Sequence, residues 1–358
     1  MAETVLTETV LTENVLTENV PAENVLAENV LAENVLAENV LAAIRAHSDN
    51  PSAFLALNEG TARFTAPGID GVVAYRPAGR YLIQLGGPFA PAAERAALLS
   101  AFVAFAARQR RRVFAVQLQA EDAELYAANG FAVNQIGASY ALDLSRFTLR
   151  GSKFMRLRNK ISRARRSGLV VAEVPAGNGA DLAVLDEIDR AWLRGKGRHT
   201  KELSFLVGER GGALRRLFVG RIDGAPVGYI SYSPVYGSRP GWMHDLSRRR
   251  PDAPPGVMEA INATVIETLR AEGCGWLHFG FTPFTGLDPA VETATARPLV
   301  SRLVRLLAAH GERVYPARTQ LDYKEKWGPH AVLPEYIAFH GRPRLGAVWR
   351  LLRVTNAI

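Results

Sequence analysis

The order in which strands and helices follow one another constrains the fold of this 358-residue chain more than any single motif. Patterns of strand, amphipathic helix and strand occur at 80–87, 91–109 and 112–118, and again at 241–247, 255–273 and 276–281. A hairpin at 214–237 turns at Asp223-Gly224. Helices that return the chain to a sheet are typical of mixed folds. The pattern therefore predicts an α+β chain with one mixed unit in each half.

Residues 4–41 form a pentapeptide array in which TVLTE turns into NVLAE, with valine at every fifth position from 5 to 40. A period of five advances about 140° per repeat on a helix and changes face on a strand, so the valines share no side. We therefore expect a disordered or fraying helical tail, with a tethering role as the alternative.

These patterns divide the chain into five segments. We expect a pentapeptide-repeat tail at 1–42, an N-terminal mixed domain at 43–148, a basic helix and a connecting helix at 149–200, a C-terminal mixed domain at 201–345, and a basic amphipathic tail at 346–358.

The segment GSKFMRLRNKISRARRSG at 151–168 predicts an unusually basic helix. From Arg150 to Arg166 there are eight Lys or Arg and no Asp or Glu. An apolar stripe is spaced at helical intervals and consists of Phe154, Leu157, Ile161 and Ala164. Such a helix can be a solvated surface helix, a membrane-surface helix or a track for nucleic-acid phosphates.

The distribution of charge indicates a polyanionic partner. The first 44 residues hold eight of the 35 acidic residues and none of the 43 basic ones, so the remainder carries a formal charge of +16. The single Cys274 excludes an internal disulfide framework and fits a reducing cytoplasm. The sequence has no apolar run long enough for a transmembrane segment.

The loop RRRPDAPPG at 248–256 leads into the predicted helix at 255–273, and a loop in this position can bind the pyrophosphate of a cofactor such as coenzyme A through its backbone N–H groups. This loop is poorly suited to that role. Its three prolines have no N–H to donate, and it contains only one glycine. Its arginines Arg248, Arg249 and Arg250 offer side-chain donors to a phosphate or carboxylate instead. The adjacent Asp245 lies on an otherwise apolar strand, so it is either ion-paired with one of these arginines or a functional acid.

The segment LDYKEKWGP at 321–329 places Lys324 and Lys326 on either side of Glu325. Lysines two apart point in different directions on a helix, so at most one need face a site; the alternative is a surface patch. The seven histidines lack the spacing of a metal pair, and we expect no metal site.

Taken in series, these segments resemble the cytoplasmic C-terminal catalytic region of the bacterial phosphatidylglycerol lysyltransferases. The similarity extends from roughly Phe54 to His340 and rests on the sequences at 147–164, 226–261 and 315–329. Together with the GNAT-like segment LYAANGF at 125–131, it implies two tandem GNAT-like acyltransferase domains joined by a basic helix. It also implies transfer of an amino acid from aminoacyl-tRNA, as co-substrate and without a further cofactor, to an acceptor. That acceptor is an anionic lipid such as phosphatidylglycerol or, as in soluble relatives, a small natural-product intermediate with an amine or hydroxyl group.

The resemblance also leads to roles for individual residues. Lys324 or Lys326 would stabilise the oxyanion, and Asp245 would orient the acceptor, act as a base or bind the ammonium group. We expect substrate contacts from Arg248, Arg249, Glu259 and Tyr236. Contacts to tRNA phosphates are expected from Lys153, Arg156, Arg158, Lys160, Arg163 and Arg165.

Two other functions remain open at this level: an acyl-CoA-dependent N-acyltransferase and a non-catalytic RNA- or lipid-binding module. We expect a cytoplasmic location, with peripheral contact to the anionic inner membrane face as an option.

Overall fold

A computed structural model describes residues 37–175, 179–195, 205–210, 212, 214–310 and 317–356. The strands are β1 (Ala62–Ala66), β2 (Ile69–Ala78), β3 (Tyr81–Leu85), β4 (Arg112–Leu118), β5 (Phe131–Asp143), β6 (Val170–Val174), β7 (Arg216–Ile222), β8 (Ala225–Val235), β9 (Gly241–Arg249), β10 (Trp276–Pro283) and β11 (Ala331–His340).

The α-helices are α1 (37–47), α2 (Arg95–Arg108), α3 (Ala120–Ala128), α4 (Met155–Arg166), α5 (Gly179–Gly195), α6 (Val257–Ala271), α7 (Pro298–His310), α8 (Ala317–Glu325) and α9 (Leu345–Val354). Short 3-10 helices occur at Ala53–Leu57, Ser152–Phe154 and Pro289–Val291.

All strands of the described residues belong to one sheet, in the order β1-β2-β3-β4-β11-β5-β10-β9-β8-β7-β6. The mixed α and β architecture is thereby confirmed. The two halves meet where β5 and β10 pair antiparallel, and β11, from near the C-terminus, lies between β4 and β5. Residues 40–358 form one compact unit, so the division into two tandem domains stays a prediction.

The two faces of the sheet in the C-terminal half are covered by different helices. Phe218 and Ile230 pack with α4 and α6, whereas the neighbouring Leu217 and Tyr229 pack with α5. Successive side chains on a strand point to opposite faces, which explains this alternation.

The stripe predicted for the basic helix is confirmed. Phe154, Leu157, Ile161 and Ala164 are all buried, and α4 packs against α6. The contact is close at Gly256, where a Cβ atom would lie 2.2 Å from the carbonyl oxygen of Lys160. Gly256 also has a φ of +96°, so glycine suits this position for two reasons.

The expected tail lies mostly outside the described residues, but its last repeat does not behave as expected. Residues 37–47 form α1, and Val40 is buried in a core cluster together with Ile44. The last valine of the array is thus packed, because this repeat runs into a sequence that supplies Ile44 on the same side of a helix, and the prediction for the preceding repeats lies outside the described residues.

Candidate functional site

The parallel strands β9 and β10 separate after a short paired stretch, and the resulting gap is the centre of the candidate site. They pair only from Gly241 to Met243 and from Trp276 to His278, although both strands continue. We call the space beyond Met243 and His278 the wedge.

The end of α8 covers one face of the wedge. The ring of Tyr323 lies 5.8 Å from that of His244 on β9 and 6.3 Å from that of Phe279 on β10, measured between centroids. His244 and Phe279 are the first residues after the paired stretch. One aromatic side chain of α8 thus contacts both strands where they begin to diverge.

Lys324 fills the wedge with a buried amine. Its Nζ donates hydrogen bonds to the carbonyl oxygens of Gly280 and Phe281, at 2.7 and 3.0 Å. These carbonyls lie at a bulge in β10, where a donor from outside the ladder is needed. Burial lowers the pKa of Lys324 to about 7, opposed by the negative charge of Glu335. Its contacts are those of a structural residue.

Glu335 on β11 is fully buried and accepts a hydrogen bond from the hydroxyl of Ser139. Burial raises the pKa of Glu335 to about 7, and the hydrogen bond from Ser139 and the charge of Lys324 oppose this rise. Lys324 and Glu335 therefore form an internal pair of titratable groups that links α8 to the centre of the sheet.

Lys326, in contrast, is partly accessible and belongs to a cluster of charges. Its Nζ lies 2.7 Å from Oε1 of Glu259 on α6 and 3.9 Å from the centre of the Tyr323 ring. Lys160 of the basic helix approaches the same carboxylate oxygen at 3.4 Å. We call Lys160, Glu259 and Lys326 the charge cluster.

The surroundings of the charge cluster lower the pKa of both Glu259 and Lys326, which favours the charged form of the carboxyl group and disfavours that of the amine. Burial shifts the pKa of Glu259 upward, but Lys326 and Lys160 outweigh it and hold this pKa below its ordinary value. Burial lowers the pKa of Lys326, and Glu259 counteracts that effect. Beneath the cluster, burial and the charge of Lys324 lower the pKa of His244 to about 3, so its imidazole is neutral.

Asp245 is adjacent to His244 in the chain but has different surroundings. Its side chain is 1% exposed and lies 3.3 Å from Arg215, and a Cβ atom on Gly208 would overlap its carboxylate. Burial raises the pKa of Asp245 to about 6, although Arg215 opposes the rise. The ion-pair alternative is realised, with Arg215 as the partner instead of Arg248, Arg249 or Arg250.

The loop arginines diverge from one another. Arg248 is buried and lies 3.8 Å over the ring of Trp192, Arg249 approaches the carbonyl of Ala253, and Arg250 pairs with Asp252. The structure therefore does not assemble them around one phosphate. Tyr236 lies apart from the wedge and accepts a hydrogen bond from Arg45.

The predicted tRNA contacts fall into two groups. Arg158 donates to the carbonyls of Leu149 and Gly151, and Arg165 pairs with Glu267. Within the described residues, the exposed basic side chains of this segment without an ion pair are Lys153, Arg156, Arg163 and Arg166. Arg156, Arg163 and Arg166 lie on the side of α4 opposite its buried stripe.

Several contacts escaped prediction because they join distant parts of the chain. Arg215 precedes Asp245 by thirty residues and carries no motif. Tyr323 and His244 lie in segments that the sequence analysis singles out, but their contact depends on the separation of β9 and β10, which the sequence does not show.

Among the residues that the structure describes, no group of His, Cys, Asp and Glu is arranged to hold a metal ion. The described helices include none that is long and apolar enough to cross a bilayer.

Comparison with known proteins gives the site a family context. Residues 42–339 match the family model described as phosphatidylglycerol lysyltransferase, C-terminal. The chain is 25% identical over 252 residues to the phosphatidylglycerol lysyltransferase of Bacillus subtilis (strain 168), covering 70% of this chain and 29% of that protein. It is 27% identical over 223 residues to the lysylphosphatidylglycerol biosynthesis bifunctional protein of Mycobacterium marinum, covering 61% and 20%. The chain thus spans less than a third of these relatives.

Two solved structures share the fold. The C-terminal domain of a lysylphosphatidylglycerol synthetase from Agrobacterium fabrum has a TM-score of 0.73 at 21% identity, covering 91% of this chain and 99% of that one. L-PGS from Bacillus licheniformis has a TM-score of 0.71 at 22% identity, covering 88% and 95%. Because the family model matches most of the sequence, the chain belongs to the family of phosphatidylglycerol lysyltransferase C-terminal domains.

Proposed function

We propose that this chain transfers an aminoacyl group from aminoacyl-tRNA to a hydroxyl or amine acceptor, with an anionic lipid such as phosphatidylglycerol as the first acceptor to test. The observation that carries the proposal is the charge cluster, which joins the basic helix to the end of α8 over the wedge. In this proposal the basic helix binds tRNA phosphates, and the adjacent charge cluster binds the aminoacyl end. The relatives' names supply the acceptor.

The reaction needs positioning and charge stabilisation but no further activation. The acceptor oxygen or nitrogen attacks the ester carbonyl of the aminoacyl-tRNA, and the ribose oxygen leaves with a proton. Lys326 would donate a hydrogen bond to the developing oxyanion or to the ribose oxygen. Glu259, which is ion-paired with Lys160 and Lys326, would accept hydrogen bonds from the α-ammonium group of the amino acid. Lys324 would act only by holding β10 and Tyr323 in place.

We assign Asp245 a positioning role, in line with the ion-pair alternative instead of the functional-acid alternative. Its carboxylate is enclosed by Arg215 and Gly208, so it would position β9 instead of touching the substrate. The tRNA acceptor arm would lie on the outward face of α4, along Arg156, Arg163 and Arg166. A location at the inner face of the membrane would follow from a lipid acceptor.

The structure of the loop disfavours coenzyme A as the donor carrier. The loop before α6 contains Pro251, Pro254 and Pro255, which have no N–H to offer a pyrophosphate, and Gly256 packs closely against the backbone of α4 at Lys160.

The test is an incubation of the full chain with a pool of labelled aminoacyl-tRNAs. Three arms contain phosphatidylglycerol vesicles, phosphatidylcholine vesicles or a lipid-free small-molecule extract. Label in the solvent-extractable fraction of the first arm alone is the result expected for a lipid acceptor, and label in a small soluble product of the third arm would assign the natural-product alternative. Absence of transfer in every arm, with or without acetyl-CoA binding, would refute the proposal.

A further inference from the structure

Helix α7 carries a row of leucines on the face turned away from the protein. Leu299, Leu303 and Leu306 are 79%, 39% and 56% exposed, and they are spaced at i, i+4 and i+7 on one side. The buried Ser301 and Val304 lie on the opposite side, and Val300 and Leu307 between the two sides are partly buried. The helix is therefore apolar on its outward side as well as toward the protein, whereas a surface helix ordinarily has a polar outward side.

This outward face stands out within the described residues. Nine large hydrophobic side chains are exposed there, and α7 carries three of them on a single side. Helix α9 carries two, Val348 and Trp349, and the others are isolated. Isolated exposed hydrophobics need no explanation, but an aligned row on one helix marks an interaction surface.

The charges around the row indicate what it binds. From Arg297 to His310 the sequence contains three arginines and no acidic residue. Arg302 and Arg305 are exposed and lie on the same side of the leucine row, Arg302 next to it and Arg305 further round the helix. Arg305 also lines a pocket with Asp288 and Glu292. Leucines beside arginines match the apolar interior and the negative headgroups of an anionic bilayer, whereas two copies of the same basic face would repel each other.

The position of α7 relates this face to the wedge. Strand β5 pairs with β10 up to Gly137 and Pro283 and then extends beyond the end of β10. Asn134, in this extension, donates a hydrogen bond to Ser301 of α7 at 2.8 Å. Helix α7 therefore lies at the end of the sheet toward which β9 and β10 diverge.

We propose that the outer face of α7, formed by the row Leu299, Leu303 and Leu306 with Arg302 along one edge, docks this chain on an anionic lipid bilayer with the open end of the wedge near the headgroups. The inference deepens the proposed function: docking would let the enzyme take an acceptor lipid directly from the bilayer surface. This biological role of docking rests on the proposed function. Binding itself requires neither tRNA nor transfer.

The experiment measures co-sedimentation of the full chain with vesicles, without tRNA. One set of vesicles contains equal amounts of phosphatidylglycerol and phosphatidylcholine, and the other contains phosphatidylcholine alone. We expect binding to the first set, and a loss of about tenfold or more when Leu299→Ser, Leu303→Ser and Leu306→Ser are combined. A double variant with Val348→Ser and Trp349→Ser on α9, which also carries exposed apolar residues beside arginines, serves as the matched control and should bind like the parent.

A second variant guards against unfolding. Arg302→Gln with Arg305→Gln should lower binding to the anionic vesicles by roughly fivefold per arginine. Equal melting temperatures of all variants are expected, because the changed side chains lie in solvent.

Four outcomes would overturn the docking proposal: no binding by the parent chain, full binding by the leucine variant, loss of binding only in the α9 variant, or conversion of a dimer to a monomer by the leucine changes at unchanged vesicle binding. A chain that binds anionic vesicles but transfers no amino acid would refute the proposed function and leave the docking surface intact.

Discussion

At the scale of single residues, the two lysines of the α8 segment separate into different roles. Lys326→Met removes the amine that we place at the reacting carbonyl, so turnover should fall by about 10²–10³-fold, as for the loss of one oxyanion donor. The measurement is single-turnover transfer at saturating aminoacyl-tRNA. Arg108→Met is the control, since this arginine is exposed at the end of α2, which packs against β1, β2 and β4 in the other half of the sheet. Parent-like turnover of Lys326→Met would remove this residue from the mechanism.

Lys324→Met should instead destabilise the protein. It leaves the carbonyls of Gly280 and Phe281 without their donor and Glu335 without its neighbouring positive charge. We expect a loss of about 2–4 kcal/mol in the free energy of unfolding. Urea unfolding at neutral pH checks this value, and Lys326→Met provides the comparison, with a much smaller change.

Asp245→Asn distinguishes a positioning residue from a general base. Because the carboxylate is closed off by Arg215, we expect a decrease in turnover well below the roughly 10²-fold of a lost base. The raised pKa means that the folded protein holds a proton on Asp245 between about 4 and 6, so the stability of the parent decreases with rising pH across this window. The variant should lack that component, which pH-dependent unfolding measures. A 10³-fold loss of turnover with an unchanged pH profile of stability would restore the general-base role.

At the scale of elements, the side of α4 that we propose to bind tRNA phosphates lies opposite its buried side. Replacing Arg156, Arg163 and Arg166 with Gln should weaken tRNA binding and reduce its salt dependence by roughly 0.7–0.9 in log–log slope per lost contact. Filter binding at several salt concentrations measures this slope. The matched control is Arg158→Gln with Arg165→Gln, whose side chains already bond to Leu149, Gly151 and Glu267. Equal slopes for both variants would contradict the assignment.

Elements with a local period could be predicted, whereas their long-range partners could not. The stripe of α4 follows from the 3.6-residue repeat of Phe154, Leu157 and Ile161, which is a local property. Which of Lys324 and Lys326 is buried depends on where β9 and β10 stop pairing. The sequence of α8 contains no information about that position. The sequence suggests a partner for Asp245 in the neighbouring loop. Its partner is Arg215 instead, which directly precedes β7 and comes close to Asp245 through the pairing of β7 with β8 and of β8 with β9.

At the scale of the whole molecule, Glu335 connects the central strand to the wedge and makes stability depend on pH. Its folded pKa is raised above the unfolded value, so the folded protein binds more protons between about 4.5 and 7 and its stability decreases as pH rises through that range. Glu335→Gln should remove the part of this decrease that Glu335 contributes, on the order of 2 kcal/mol, and leave the part between about pH 4 and 6 that comes from Asp245. Thermal unfolding between pH 4 and pH 8 measures the difference, and an unchanged slope would place the titration elsewhere.

The position of β11 also affects how the chain folds during its synthesis. Strands β4 and β5 leave the ribosome early, but neither can pair with the other, because the place between them belongs to a strand that emerges some two hundred residues later. Until residues 331–340 are synthesised, both strands present unpaired edges in a nascent chain, which is the condition that invites association with other chains. The N-terminal half is therefore not an autonomous product of translation, and a stop codon placed before β11 should yield an aggregating fragment instead of a smaller folded protein.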